Sequence, residues 1–480
     1  MLHELSSLLK HCAASLSKPI YLIFCISLRT SIFPTAWKYA NITPIHKGGR
    51  SSSVENYRPI SLLSSIAKVF EKMVANYITS YLKTKNFIHP SQHGFVKGKS
   101  CLTNLLTAIN HWTSAIDKRH CCDIIYLDFK KAFDSVDHSI LLAKLHKLNL
   151  PPFLFHWFAS YLQDRRFRVS LRGSFSAWSA APSGVLQGSV LGPTLFNIFI
   201  NDLPDHLRYS ICLLFADDLK IFRTIKSSSD QQYLQADLDN LAQRVRDNRL
   251  SFNVTKSAVL HIGFNNQHIN YFLNNQTIPS KDSIKDLGII VDNKLKFHQQ
   301  CAAAAKKAVS SAHFIIKSFS FLSSALFSKL YKVFVRPNLE YCVQAWRPFC
   351  KKSVDNLEKT QRKITKWCPK LSHLPYERRL QILNLPTLTN RFNRGDLIET
   401  YKIMTNRYSI PSDTFFSLSH ETRTRGHGLK IALTKFHSDI RKNFFCNRVI
   451  LPWNKLPESL TAASSVTQWK LRYSTIFSDL

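Results

Sequence analysis

Acidic residues are scarce in this 480-residue chain, where 31 Asp and Glu stand against 65 Lys and Arg for a formal net charge of +34. That balance lies far outside what solubility requires and implies a polyanionic partner, the alternative being an unspecialised solvated basic surface. About 20 of the net positive charges fall after residue 290, so the basic surface is expected to concentrate toward the C-terminus. Nucleic acid is the expected polyanion, because phosphate contacts supply most non-specific affinity. Long apolar runs are missing too. The stretch Ile20 to Leu28 is too short for the roughly 20 residues that cross a bilayer, which excludes a membrane span there and reads as a buried helix.

The 11 cysteines keep no framework spacing. No charged leader with a small-residue cleavage site precedes the first apolar stretch, so a disulfide scaffold is excluded and a reducing, intracellular compartment is expected. No internal repeat is visible. Cys342, Cys350, Cys368 and His373 fit no compact zinc-ligand spacing. The segment Gly94-Phe95-Val96-Lys97-Gly98-Lys99-Ser100 imitates a phosphate-binding loop but is one residue short between its glycines, and that reading is rejected.

What is present is 45% hydrophobic content, enough for two or more packed units at this length. Three aspartates stand out within it. Asp217 and Asp218 interrupt Leu213-Leu214-Phe215-Ala216-Asp217-Asp218-Leu219, and Asp128 closes Asp123-Ile124-Ile125-Tyr126-Leu127-Asp128. Carboxylates embedded in apolar strands are costly unless something pairs with them, and three together repel. Divalent cations remove that cost, and a pair of ions around an in-line displacement is the corresponding chemistry, so nucleotidyl transfer is expected. Surface turn aspartates are the structural alternative.

The pattern predicts helices over 1–36, a strand from Trp37 to His46, a basic glycine- and serine-rich loop, and a helix from Leu62 to Lys83. A short strand, Ile124 to Leu127, feeds a helix over Ser139 to Leu148. Pro193 starts a helix over Thr194 to Leu203. Strands Tyr209 to Phe215 and Leu219 to Ile225 would place the aspartate pair at a hairpin tip. A helix capped by Ser229-Asp230 runs to Asn248, followed by strands over Leu250 to Ile262 and Lys285 to Val291. Near 295 the chain turns helical, Ala-rich and basic. A weaker break at Leu383 to Pro386 opens a last segment containing Arg391, Arg394, Arg423, Arg425 and Trp453.

Several blocks in order and spacing carry a family resemblance. They are Ile42-Thr43-Pro44-Ile45-His46-Lys47 with Asn56-Tyr57-Arg58-Pro59-Ile60-Ser61, then His93-Gly94-Phe95 and Asp128-Phe129-Lys130-Lys131-Ala132-Phe133-Asp134. They continue through Gly184-Val185-Leu186-Gln187-Gly188-Ser189, Phe215-Ala216-Asp217-Asp218, Asn253-Val254-Thr255-Lys256 and Asp286-Leu287-Gly288, with tail blocks at Arg394 to Lys402 and Trp453 to Pro457. With them the chain resembles reverse transcriptases of non-LTR retrotransposons, particularly the jockey and chicken-repeat-like groups, over nearly everything after residue 30.

The resemblance implies an α+β right-hand polymerase fold. Its parts would be an N-terminal helical lead-in (1–36), fingers and palm with an antiparallel sheet (37–294), a helical basic thumb-like region (295–382) and a basic C-terminal region (383–480). It implies an RNA-directed DNA polymerase extending a 3′-hydroxyl primer, with Asp128, Asp217 and Asp218 holding Mg²⁺, or Mn²⁺ in its place. Phe133 would be a steric gate against the 2′-hydroxyl, with a core phenylalanine as the alternative. Lys47 and Arg58 would hold the incoming triphosphate, or else contact RNA backbone. Gln187 and Gly188 would pack against the templating base and nucleotide, or form a purely structural turn. Lys256 would approach the triphosphate.

The implied partners are an RNA template, a DNA primer or target and deoxynucleoside triphosphates, with no membrane. The implied setting is a cytoplasmic ribonucleoprotein and the nucleus. No segment is long enough for the upstream endonuclease such elements carry, so nicking is expected to come from elsewhere or the sequence to be a truncated copy. A non-catalytic RNA-binding descendant is the second reading, and the intact carboxylate set argues against it. A group II intron maturase-like protein is a third, and the tail argues against that. Trp346, Trp367 and Trp453 among basic residues leave base stacking and core packing both open.

Overall fold

The protein is described from a computed structural model covering Ser7 and residues 9–419 and 426–477; Arg423 and Arg425 lie outside the described residues. Its strands are β1 (Tyr39–His46), β2 (Tyr57–Leu62), β3 (Cys121–Leu127), β4 (Arg166–Leu171), β5 (Ser174–Phe175), β6 (Ser179–Ala180), β7 (Ile211–Phe215), β8 (Asp218–Ile225) and β9 (Ala258–Ile262). Two small hairpins complete the set, β10 (Phe272–Leu273) with β11 (Gln276–Thr277), and β12 (Ser283–Asp286) with β13 (Ile289–Asp292).

A four-stranded antiparallel sheet in the order β7-β8-β3-β9 lies at the centre. Alternation along β3 sends Cys122 and Ile124 to one apolar cluster and Ile125 and Leu127 to the other, as the two-residue period of a strand requires. The first face is covered by the helix Cys101–Asp117, through Leu105, Ile109 and Trp112, and its cluster runs on into the C-terminal helices as far as Trp469. The second face is covered by the helices Gly192–Ile200 and Ser228–Asp247. With both faces covered, the sheet is a stiff platform whose strand ends carry the chemistry.

A second sheet, in the order β2-β1-β4-β5 with β6 also on β4, stands beside it. One of its contacts with the rest runs through a glycine. The amide of Ser61 on β2 donates to the Gln187 carbonyl at 2.8 Å, and a Cβ on Gly188, at φ 114°, would lie 2.7 Å from the Ser61 carbonyl oxygen.

Three sequence expectations are corrected by local geometry. Ile20 to Leu28 lies within the helix Ala13–Thr30, but only Phe24 and Ser27 of that helix are buried, while Tyr21, Leu22 and Ile26 are exposed. Only one helical face meets the body, where Phe24 stacks on Phe70 at 4.3 Å. The strand expected over Leu250 to Ile262 forms only at Ala258–Ile262, because the Asn253 carbonyl takes the amides of Lys256 and Ser257 and closes a turn. Lys285 to Val291 is a hairpin, folded at Leu287 (φ 43°) and Gly288 (φ 90°).

Beyond Asp292 the chain is predominantly helical, from His298–Ser318 through Leu388–Met404 to Val466–Ile476. Trp346 and Trp453 are fully buried and donate to the carbonyls of Tyr341 and Leu429, so those two indoles are core residues rather than stacking surfaces. Trp367 is partly buried against His313. No helix among the described residues is long and apolar enough to cross a membrane.

Candidate active site

The three aspartates meet at the ends of two neighbouring strands. In the β3–β8 register Leu127 opposes Leu219, so Asp128 leaves the sheet abreast of Asp218, and Phe215 opposes Asp218 across the hairpin that carries Asp217 at its tip. Adjacent acidic side chains there disfavour each other's charge. Burial raises the Asp128 carboxyl pKa, Lys256 lowers it, Asp217 raises it again and Lys47 lowers it. Asp217 is raised by burial and opposed by Arg58. Asp218 is pushed to about 6 by the surrounding protein mass and by Asp217, Asp286 and Asp128, with Lys220 in opposition. Asp217 and Asp218 are nevertheless open to solvent along one edge, so access and partial desolvation coexist in this cleft.

The hairpin tip is built with almost no freedom. Ala216 adopts φ 54°, and its amide donates to Gln92 Oε1 at 3.0 Å, an oxygen that also takes the Gly94 amide at 2.8 Å. Leu214 and the Ser91–His93 segment exchange backbone hydrogen bonds of 2.8 and 2.9 Å, while Asn197 donates to the Gly94 carbonyl at 2.9 Å. A Cβ at Gly94 would sit 2.2 Å from the Ala216 nitrogen. The glycine pair that imitates a phosphate loop therefore includes a residue that braces the aspartate hairpin.

Asp128 is braced by the other turn, where the Asn253 amide donates to its carbonyl at 2.7 Å, which sets Lys256 Nζ 4.0 Å from its carboxylate.

Of the remaining expected residues, two cations act on this corner and the others pack on neighbouring elements. Arg58 lies on β2 and Lys47 directly follows β1, its amide donating to the Asn56 carbonyl at 2.7 Å; they act electrostatically on Asp217 and Asp128 respectively. The Gln187 side chain donates to Asp134 Oδ1 at 3.1 Å. Phe133 is half-buried with its ring stacked on Phe196 at 4.4 Å, so it is packed on one side.

The sequence reading missed a buried ion pair lining the same cleft, a cavity of about 310 Å³ bounded by Asp128, Asp218, Tyr126 and Lys256 among others. Lys220 Nζ lies 2.5 Å from Asp286 Oδ2, both side chains are almost wholly buried, and the Tyr126 hydroxyl donates to the same oxygen at 3.3 Å. The available signal was a lysine on the inward register of an apolar strand, which demands a carboxylate partner.

Among the described residues no three His, Cys, Asp or Glu side chains close on a common ion-sized point, and this holds for the aspartate set as for Cys342, Cys350, Cys368 and His373. For the aspartates, strand register still sets the three carboxyl-bearing positions side by side. Their donor set of hard oxygens with raised proton affinity suits a divalent cation such as Mg²⁺.

Residues 45–291 match the family described as reverse transcriptase (RNA-dependent DNA polymerase). The chain is 29% identical over 360 residues to the probable RNA-directed DNA polymerase from transposon X-element of Drosophila melanogaster, covering 72% of this chain and 39% of that protein. It is 31% identical over 363 residues to the RNA-directed DNA polymerase from mobile element jockey of Drosophila melanogaster, again covering 72% and 39%. It thus spans about two-fifths of the length of either relative. Among solved structures, telomerase from Candida albicans in complex with a fragment of telomeric RNA aligns with TM-score 0.42 at 13% identity, covering 78% of this chain and 69% of that one.

Proposed function

The chain belongs to the reverse transcriptase family, with the family's α+β right-hand fold, and we propose that it is an RNA-directed DNA polymerase of non-LTR retrotransposon type. The observation that carries the reading is the placement of Asp128, Asp217 and Asp218 at adjoining strand ends, each with raised proton affinity, with Lys47 and Lys256 acting on Asp128 and Arg58 on Asp217. Such a corner suits a substrate that brings both divalent cations and a polyphosphate.

Asp128 and Asp217 would hold Mg²⁺, or Mn²⁺ in its place, with Asp218 supporting them. Bound there, the ions would acidify a primer 3′-hydroxyl and offset charge on the triphosphate. The chain's own residues supply the rest. Lys47 and Arg58 would bind phosphate oxygens through charge-assisted hydrogen bonds, and Lys256 beside Asp128 would do the same. Gly188 lets backbone approach closely, so the Gln187–Gly188 turn would seat the base pair being formed. Phe133, stiffened by Phe196, would lie under the sugar and exclude a 2′-hydroxyl. An RNA template, a DNA primer and deoxynucleoside triphosphates are the partners this assigns.

Primer extension on a poly(rA)/oligo(dT) substrate with Mg²⁺ tests the proposal. Wild type should incorporate dTTP and Asp217→Ala should not, while both melt alike. Equal incorporation by the two would remove the assignment.

A further inference from the structure

We infer that Glu71 is a positioning residue for nucleotide selection, its carboxylate holding the Gln187–Gly188 turn in register with the strand that carries Arg58; this rests on the polymerase reading and deepens it. Glu71 lies on the helix Ser65–Thr84, in the buried face that holds Ala67, Phe70, Val74 and Ala75, and is itself 1% exposed. An acid so placed is costly unless donors meet it. The turn supplies them. Glu71 Oε2 accepts the amides of Val190 at 2.7 Å and Leu191 at 3.2 Å, 119 and 120 residues away in sequence. Burial raises the Glu71 carboxyl pKa, and the Leu191 and Val190 amides oppose it ahead of Arg165 and Tyr161. The two amides are its main partners.

Those amides stand at the start of the helix Gly192–Ile200, where the opening N–H groups find no partner within the helix. Pro193 brings no N–H, and the Gly192 amide is taken by Ser189 Oγ at 2.9 Å. Glu71 thus completes, from a distant helix, the cap that Ser189 begins, and its charge suits the helix dipole. The far side of the turn is fixed as well. The Ser61 amide donates to the Gln187 carbonyl at 2.8 Å, and Asp134 accepts from the Gln187 side chain at 3.1 Å.

Ser61 and Glu71 belong to one short stretch of chain. Only Leu63 and Ser64 separate β2 from the helix Ser65–Thr84, and β2 also carries Arg58, which acts on Asp217. One strand–helix unit therefore holds the proposed phosphate-binding cation and grips the proposed base-pair seat at both ends. Such a unit fixes the spacing between phosphate and base. A mispaired nucleotide whose base is seated presents its phosphates in the wrong place, so rigid spacing penalises it. Slack spacing would not.

The experiment separates reach from charge. Glu71→Gln keeps an acceptor at full reach and removes the charge, while Glu71→Asp keeps the charge and withdraws it by one methylene, about 1.5 Å. Both are compared with wild type in single-nucleotide extension on poly(rA)/oligo(dT) with Mg²⁺, using dTTP as the correct and dCTP as the mispairing nucleotide, alongside thermal melting. Glu71→Asp should lose on the order of tenfold in kcat/KM for dTTP, chiefly through KM, and little for dCTP, so that discrimination falls with it. Glu71→Gln should stay close to wild type on both nucleotides.

Equal losses on dTTP and dCTP, wild-type discrimination in Glu71→Asp, or a Glu71→Gln protein worse than Glu71→Asp would overturn the proposal. A Glu71→Asp chain too unstable to assay would overturn it too, leaving the residue a stabilising role alone. Failure of wild type to incorporate dTTP would instead remove the polymerase reading. Hydrogen exchange at the Val190 and Leu191 amides, slow in wild type and Glu71→Gln and fast in Glu71→Asp, reports on the carboxylate contact without activity, so the two failures are distinguishable.

Discussion

Replacing Gly94 by alanine tests whether close backbone contact at Gly94 positions the aspartate hairpin. The added methyl would fall 2.2 Å from the Ala216 nitrogen, 2.8 Å from the Phe215 carbonyl carbon and 3.1 Å from the Ala216 Cα, where ordinary contact begins at 3.4 Å. All three are main-chain atoms, so no side chain can rotate away. The Ser91–Gly94 segment and the hairpin must separate by about 1 Å, at an overpacking cost of roughly 1–3 kcal/mol. At this chain length that lowers Tm by only a few degrees.

The rate should suffer far more, because a misplacement of about 1 Å at reacting groups costs on the order of 10²-fold. Gly94→Ala should therefore lose about a hundredfold in kcat for primer extension while remaining folded by circular dichroism. Gly428→Ala, whose Cβ would meet nothing within 4 Å, serves as the control and should be neutral. Wild-type kcat in a folded Gly94→Ala protein would refute the positioning argument.

Further outcomes follow from the same geometry. Because Asp218 takes up its proton at about 6 in the folded protein against 3.8 ordinarily, the native state binds more protons than the unfolded one between these values, so without divalent metal this group makes stability fall as pH rises from 4 through 6. Asp218→Asn should flatten that part of a Tm-against-pH curve, and an unchanged slope would contradict the assignment of the shift. Asp286→Asn strands the buried Lys220 ammonium and should cost roughly 3–5 kcal/mol in urea unfolding, with much of it recovered in the Asp286→Asn/Lys220→Met double variant; no recovery would show that the loss lies elsewhere. Phe133→Ala should raise ribonucleotide incorporation relative to deoxyribonucleotide in single-nucleotide extension, and an unchanged ratio would leave Phe133 as a packing residue.

The local part of this architecture was legible because each signal needed only neighbouring residues. Apolar alternation around Asp217 and Asp218 produced the hairpin, and Pro193 stands in the first turn of the helix Gly192–Ile200. Ser227 and Asp230 form a capping box, with the N-cap two residues before the expected Ser229. Where two elements had similar apolar content but a turn between them, the reading ran them together, as at Leu287–Gly288 and Asn253–Ser257. The hydrogen bonds that bend those segments are made by backbone groups that every residue type carries.

Pairings distant in sequence were illegible for a different reason. Asp123 is wholly buried on β3, an apparent liability, yet His261, Asn266 and Tyr271 all bond to its carboxylate within 2.8 Å. Lys220 and Asp286 stand 66 residues apart. Each member alone reads as an anomaly, and only the tertiary fold, which sets His261 of β9 opposite Asp123 of β3 and brings Asp286 of β12 to Lys220 of β8, turns the anomalies into satisfied pairs.

The carboxylate corner is the exception that proves informative. Its three aspartates keep raised proton affinity after folding, whereas Asp123 and Asp286 find donors within the chain. A fold able to compensate two buried carboxylates so completely, but leaving three others mutually repelling at an open edge, has left their compensation to something that arrives from solution. That contrast between satisfied and unsatisfied acids within one sheet is the physical ground for reading the corner as a site rather than a packing defect, and it predicts that divalent cations raise Tm for wild type and not for a folded Asp128→Asn/Asp217→Asn variant.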